Sequence, residues 1–265
     1  MKSGTTSLGH YLDQHDHIYM PKNEVHFFDN FGGYADRWNR GLEWYGSQFK
    51  LAKENQIIGE KTPTYSYLED VPARIKETLP KVKLIWIFRN PIDRAYSNYW
   101  HAVKNGGERE SFEYAVNNEQ ERIQTDIWKG YVKRSNYAEQ VRNYLNYFDL
   151  DQMLFLTFEE MKNDLKVTLQ KTCQFLNVDF QPSMISSQEA KNITHMPRFP
   201  SLRYFVSSNF GTQSILSRIE RKLNFKNGKY SPMPPDLRAI LIEKFKDSNK
   251  ELAELTNLNL DHWDS

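Results

Sequence analysis

Two short stretches of this chain are composed for anions. The first is Lys2-Ser3-Gly4-Thr5-Thr6-Ser7. Gly4 lets the backbone come close to a ligand, and Thr5, Thr6 and Ser7 offer hydroxyl donors. The run from Leu8 to Leu12 then reads as the first turns of a helix. A loop entering a helix N-terminus turns free N–H groups and the positive end of the helix dipole toward an anion, and Lys2 adds a mobile charge. The same residues also suit a plain helix cap, with Ser3 or Thr5 as the capping side chain. The second stretch begins at Arg89-Asn90-Pro91, where a long apolar run ends. Arg94 and Ser97 follow on the next helix. Two anion sites at strand ends of one sheet edge suit a ligand that carries phosphate or sulfate at both ends.

Between them lie groups fit for proton transfer. In Glu24-Val25-His26-Phe27-Phe28 a carboxylate and an imidazole stand two apart, so an extended backbone projects both to one face. Apolar Phe27 and Phe28 beside them offer burial that tunes pKa values. A solvent-facing Glu and a core-edge His would give the same string. Lys61, with Thr62 and Thr64, stands just past a short strand at 56–60, where open α/β sheets place ligands. No spacing of His, Cys, Asp and Glu suggests a metal site.

The elements that must position these groups alternate. Val82 to Phe88 is nearly continuous and apolar, as a central parallel strand covered on both faces requires. Met153 to Phe158 reads the same way. Short extended pieces are expected at 18–21 and 56–60. Helices are expected at 70–79, from Pro91 to about Val103, over 108–124, from Ser135 to Phe148, over 165–176 and over 234–255. Residues 31–50 hold Phe31, Tyr34, Trp38, Trp44, Tyr45 and Phe49, which either stack on sugar rings or pack in the core. Residues 181–204, with Lys191, His195, Arg198 and Arg203, read as a long functional loop. The basic run 218–229 reads as a solvated helix face or a patch for an acidic acceptor.

Length and composition bound the rest. The chain has 265 residues, with 35 basic against 34 acidic side chains. That balance gives no case for nucleic acid or for a membrane surface. The single cysteine, Cys173, rules out an internal disulfide and, with no signal peptide or long apolar run, fits a reducing cytoplasm. One domain over 1–265 is expected, with a cofactor core over about 1–180 and a C-terminal loop and helices over 181–265.

The order of these pieces resembles a known family. Lys2-Ser3-Gly4-Thr5-Thr6-Ser7-Leu8 resembles the 5′-phosphosulfate loop of sulfotransferases that use 3′-phosphoadenosine 5′-phosphosulfate (PAPS). Arg89-Asn90-Pro91-Ile92-Asp93-Arg94-Ala95-Tyr96-Ser97 resembles their 3′-phosphate motif. Glu24-Val25-His26-Phe27-Phe28 and Glu60-Lys61-Thr62-Pro63 resemble segments of the heparan sulfate N- and 3-O-sulfotransferase branch and its bacterial relatives. The likeness extends more weakly through Ser135, Tyr137 and 153–158, and is thin after about residue 180.

The resemblance implies an α/β, P-loop-like three-layer fold, a central parallel sheet flanked by helices. It implies sulfuryl transfer from PAPS to a hydroxyl or amine, with PAP as product, no metal, and a carbohydrate or small metabolite as acceptor. Lys2 would stabilise the leaving nucleotide, and Ser3, Gly4, Thr5, Thr6 and Ser7 would cradle the phosphosulfate. Arg89 and Ser97 would hold the 3′-phosphate, with Arg198 closing over the cofactor. Glu24 would be the base, with His26 orienting it or serving instead. Lys61 would add charge near the sulfuryl oxygens. The family pattern also departs in places. Asn23 stands where Lys often precedes the acid. The cysteine pair of some Golgi members is absent, which suggests a cytoplasmic bacterial-type enzyme. A buried strand normally precedes the first loop, so about ten further residues, a strand and turn, are expected ahead of Met1. The alternatives are a P-loop small-molecule kinase, whose loop would place Lys after the glycines, and an inactive nucleotide- or glycan-binding relative.

Overall fold

A computed structural model describes residues 2–29, 37–186, 195–228 and 230–264. The chain gathers into two compact units. The first comprises Met1–Arg89, Tyr137–Glu189 and Glu251–Leu258, and the second Asn90–Asn136, Ala190–Lys250 and Asn259–Ser265.

The chain opens with α1 (Thr5–Leu12), β1 (Ile18–Tyr19), α2 (Gly41–Ser47), β2 (Ile57–Ile58), α3 (Val71–Thr78) and β3 (Leu84–Phe88). It continues into α4 (Pro91–Asn105), α5 (Phe112–Asn117), α6 (Glu119–Thr125) and α7 (Tyr137–Leu145). Then come β4 (Met153–Thr157), α8 (Phe158–Asn163), α9 (Leu165–Leu176), α10 (Ser183–Ser186) and β5 (His195–Pro197). The last elements are α11 (Pro200–Phe210), α12 (Ile215–Asn224), β6 (Phe225–Asn227) and α13 (Pro235–Thr256).

In the first unit β3 and β4 pair in parallel, from Leu84 against Met153 to Phe88 against Thr157. Trp86, Ile87, Phe88 and Leu156 are buried, so these apolar runs form the strands their composition predicts. β1 and β2 make a second parallel pair. It is shorter than the expected 56–60 strand, and Ile57 and Ile58 stay exposed. The core joins Leu8 and Leu12 of α1, Ile87, Leu156, Leu169 and Met184. Cys173 lies in it, buried.

The second unit is built on α4. Asn90 caps it, its side chain accepting from the N–H groups of Ile92 and Asp93, and Pro91 fills the first turn. Ile92, Ala95, Tyr99 and Val103 pack with Ala115, Tyr131, Leu241 and Phe245. β5 and β6 pair antiparallel, His195 against Asn227. The expected loop over 181–204 is therefore structured in its described parts, with β5 at 195–197 and α11 starting at Pro200, a first-turn proline. The expected helix over 108–124 divides into α5 and α6, because Ser111 caps a new start at Phe112 and Asn118 interrupts the run.

Candidate active site

The Lys2–Ser7 loop turns through two left-handed residues, Lys2 at φ 70° and Gly4 at φ 92°. A Cβ at Gly4 would fall 2.5 Å from Met161 Cε and 2.9 Å from Phe158 Cδ2. Only glycine meets both demands, positive φ and close approach to α8. Gly4 itself is the N-cap, and no side chain caps α1. The alternative of Ser3 or Thr5 as cap is thereby corrected. The first-turn N–H groups of α1, at Thr5, Thr6 and Ser7, have no partner within the helix by its geometry. Ser3 is buried, and Thr6 is exposed.

Arg89 leaves the end of β3 and its Nη1 donates to Lys2 O at 3.1 Å. Its guanidinium lies 5.1 Å from the Phe158 ring centroid. So one end of the expected anion pair, Arg89, meets the other, the Lys2 loop, at the backbone. Lys61 runs close to α1: a Cβ on Gly9 would meet its Cδ at 2.9 Å.

Glu24 and His26 do share a contact, but not through a strand. His26 has φ 51°, a left-handed conformation rare for a side chain of its size, and is buried. Its Nε2 lies 3.2 Å from Glu24 Oε2 and its Nδ1 2.9 Å from Asp29 Oδ2. Asp29 also accepts from the Thr64 hydroxyl. Burial by itself would depress the imidazole pKa, but the Asp29 and Glu24 carboxylates on its two nitrogens push it up to about 9. His26 is thus an imidazolium at neutral pH, donating from both nitrogens. The burial expected at Glu24 falls on its partners instead. The Glu24 side chain is 38% exposed and that of Asp29 is 0% exposed.

The strained loop is held from beneath. His26 N–H donates to Thr62 Oγ1 at 3.3 Å, and Phe27 N–H donates to the Tyr65 hydroxyl at 2.8 Å. Arg74 Nη1 donates to Phe28 O at 3.0 Å. Thr62 in turn donates to Glu60 Oε2 at 3.2 Å and Tyr45 to Glu60 Oε1 at 2.9 Å. Burial pushes the Glu60 carboxyl up, the hydroxyls of Tyr45, Thr62 and Tyr65 pull it partly back, and it comes to about 7. Sequence reasoning missed roles for Asp29, Glu60 and Tyr65. Their signal was position, Asp29 three residues after His26 and the others flanking Lys61.

The aromatic stretch answers its own question in the described part. Phe27 packs on Tyr45 at 4.5 Å, Trp38 at 5.3 Å and Trp44 at 6.1 Å, so these rings brace the loop. Phe31 and Tyr34 lie outside the described residues, as do Lys191 and Lys229.

Ser97 and Arg198 belong to the second unit. Ser97 is buried on α4, and Arg198 is exposed just after β5. The sequence places Arg94 with Arg89 and Ser97 in a cationic, hydroxyl-bearing site. Arg94 is instead a buried brace, its Nε donating to Ser135 Oγ at 2.6 Å and its Nη1 to Asn98 Oδ1 at 3.3 Å. Arg203, read as a loop residue, is likewise buried inside α11. Among the described residues no group of three or more His, Cys, Asp or Glu is placed to hold a metal.

The Sulfotransferase domain family matches residues 1–257. Heparan sulfate glucosamine 3-O-sulfotransferase 3A1 of Mus musculus is 31% identical over 178 residues, 67% of this chain and 44% of that protein. The chain spans about half the length of the curated relatives it matches. The crystal structure of a sulfotransferase from Alicyclobacillus acidocaldarius superposes with a TM-score of 0.73 at 26% identity, over 99% of this chain and 94% of that one. Mouse sulfotransferase SULT7A1, complexed with PAP, has a TM-score of 0.50 at 17% identity over 97% and 84% of the two chains, a likeness of fold alone. With a family match that begins at the Lys2 loop and runs through both units, this chain belongs to the sulfotransferase family and has its α/β fold.

Proposed function

We propose that this chain transfers a sulfuryl group from PAPS to a hydroxyl or amine on a sugar. The observation that carries the reading is the Lys2–Ser7 loop, with Lys2 ahead of a left-handed Gly4 packed closely on Met161 and Phe158 and an α1 N-terminus that no side chain caps. That cradle fits a phosphosulfate. When bound, PAPS supplies a sulfuryl group on a phosphate leaving group. Lys2 would stabilise the charge that develops on the leaving phosphate, and the first-turn N–H groups of α1 would donate to the phosphosulfate. Arg89 is the first unit's residue for the 3′-phosphate, and Lys61 adds positive charge beside α1.

Glu24 takes the acceptor's proton. His26 already carries one at neutral pH, so it orients Glu24 rather than acting as base. Asp29 fixes the far side of the ring. A glucosamine of heparan sulfate is the acceptor named for the curated relatives, which favours a carbohydrate here.

The test is a pair of measurements on the full chain. PAP is expected to raise the melting temperature where ATP with magnesium does not. Radiolabelled PAPS is expected to label a glucosamine-containing oligosaccharide. Stabilisation by ATP with magnesium but not by PAP would point to a kinase. Stabilisation by PAP without transfer to any acceptor would leave a nucleotide-binding relative.

A further inference from the structure

The α11–α12 hairpin of the second unit is built inside out. On α12 the inward face is polar: Ser217, Glu220 and Asn224 recur at three and four residues and are all buried. Arg203 of α11 fills that interior, its Nη1 donating to Ser217 Oγ at 2.8 Å and to Glu220 Oε2 at 3.0 Å. Asn224 exchanges hydrogen bonds with the backbone of Phe199, at 2.8 and 3.0 Å. The outward face carries Ile215, Leu216, Ile219 and Leu223, exposed at 74, 48, 49 and 75%. Leu202 and Phe205 of α11 are also exposed. A helix in water ordinarily turns its apolar stripe inward. Here the inward polar face is matched to Arg203, so rotating α12 to hide the leucines would strand a buried guanidinium.

The charge around this face has one sign. From His195 to Gly228, Arg198, Arg218, Arg221, Lys222 and Lys226 are exposed, and the sole carboxylate is Glu220, buried against Arg203. Arg218 and Lys222 follow Ile215 and Ile219 by three residues each and so rim the apolar stripe. The whole-chain balance of 35 against 34 hides this segregation. Apolar side chains on one face with Lys and Arg at its edge are the composition of helices that lie in a lipid interface.

We infer that the outward face of the α11–α12 hairpin docks on an anionic lipid bilayer. The apolar stripe enters the headgroup boundary while the rim cations meet lipid phosphates. A sulfated polysaccharide would satisfy the cations and leave the stripe in water. A second copy would cover the stripe but set the two cationic rims against each other, with no exposed acid between His195 and Gly228 to pair them. Among the described residues no helix is long and apolar enough to cross a membrane, so the contact is peripheral. This surface, with its apolar stripe and its rim of Arg218, Arg221 and Lys222, includes none of the residues assigned to the transfer reaction, and it is read by binding alone.

The experiment floats the full chain with vesicles of phosphatidylcholine alone and with about 30% phosphatidylglycerol. Binding is expected only to the anionic vesicles and is expected to weaken with salt. Reversing charge in Arg221→Glu with Lys222→Glu is expected to lower partition on the order of tenfold or more. Ile219→Ser with Leu223→Ser is expected to lower it about as much, with the melting temperature unchanged because both sites are exposed. If that pair disturbs folding, Ile215→Ser alone reads the same face. The inference is overturned by no binding to anionic vesicles, or by binding that survives the apolar substitutions. It is equally overturned by binding to soluble heparin in place of vesicles, or by a dimer that the apolar pair abolishes in a chain that ignores lipid.

Discussion

His26 and Arg203 are both cations sunk into the protein, 5% and 0% exposed, and each meets acidic or polar acceptors on more than one side. The Arg203 site is closed. Its partner Glu220 is 5% exposed at the side chain, Asn224 occupies the other carboxylate oxygen, and a guanidinium keeps its proton at any ordinary pH. The His26 site is open on one side and titratable throughout. Glu24 stands 38% exposed on one nitrogen while Asp29 is shut away on the other. The backbone differs too: Arg203 sits in a regular helix, His26 at φ 51°. The difference separates a buried charge that holds two helices together from one arranged to present a carboxylate to solvent.

Removing Arg203 itself, and the carboxylate exposed beside His26, tests this difference most directly. Arg203→Met leaves Glu220 buried without its partner and is expected to cost about 3–5 kcal/mol of stability, read by urea unfolding. Replacing Glu220 by Leu in the same chain should recover much of it. Glu24→Gln should do the opposite. Its side chain lies at the solvent boundary, so the melting temperature should barely move, while turnover with PAPS falls on the order of 10²-fold or more. If Glu24→Gln unfolded the protein and kept its turnover when folded, the contrast between the two sites would be lost.

These two residues also mark how far the sequence could be read. The apolar strand at 84–88, the capped start of α4 and the helix at 165–176 were legible because each depends on local pattern: continuous apolar residues, Asn-Pro, and a regular four-residue recurrence. The Glu24–His26 contact was legible because charged and titratable residue types are costly to place without a reason. Arg94 and Arg203 were misread for the same reason. A buried arginine looks like a ligand-binding arginine until its acceptors are known, and Ser135 lies 41 residues from Arg94 in the chain. Asp29 and Glu60 were missed because their value lies in what they touch. Nothing local to Glu60 says that Tyr45 donates to it from 15 residues away. The inverted α12 was legible as a basic run, but only its burial shows which face looks inward.

Asp29→Asn tests the buried side of the His26 ring, with a smaller expected effect. His26 is raised from 6.5 to about 9, so it binds its proton more tightly folded than unfolded. Its contribution to stability is therefore full below about 6.5 and is lost as pH rises through about 9. Asparagine removes the buried charge on Nδ1. NMR titration of the ring should show the pKa fall toward 6.5, and the alkaline loss of stability should become smaller and end at lower pH. Turnover should fall by less than in Glu24→Gln, since Glu24 remains. An unchanged titration would mean that Glu24 alone holds the proton on His26.

The smallest effect expected is at Glu60, and it tests whether the loop's support is itself titratable. Glu60 is raised from 4.5 to about 7, so it too binds its proton more tightly in the folded chain. Folding stability should fall as pH rises from about 4.5 through 7, with a slope of at most ~1.4 kcal/mol per pH unit from this one group. Glutamine keeps an oxygen for Tyr45 and Thr62 and cannot ionise, so Glu60→Gln should flatten the slope between pH 5 and pH 7 while leaving the alkaline limb from His26 in place. Glu60→Ala should not behave the same way. It removes the acceptor on which Tyr45 and Thr62 converge, loosens the hydroxyls that hold the backbone of His26 and Phe27, and should lower turnover along with stability. Rescue of turnover by glutamine but not by alanine would assign Glu60 to the positioning of the Glu24–His26 loop, whereas equal loss in both would mean that its negative charge, not its hydrogen bonds, is what the site uses.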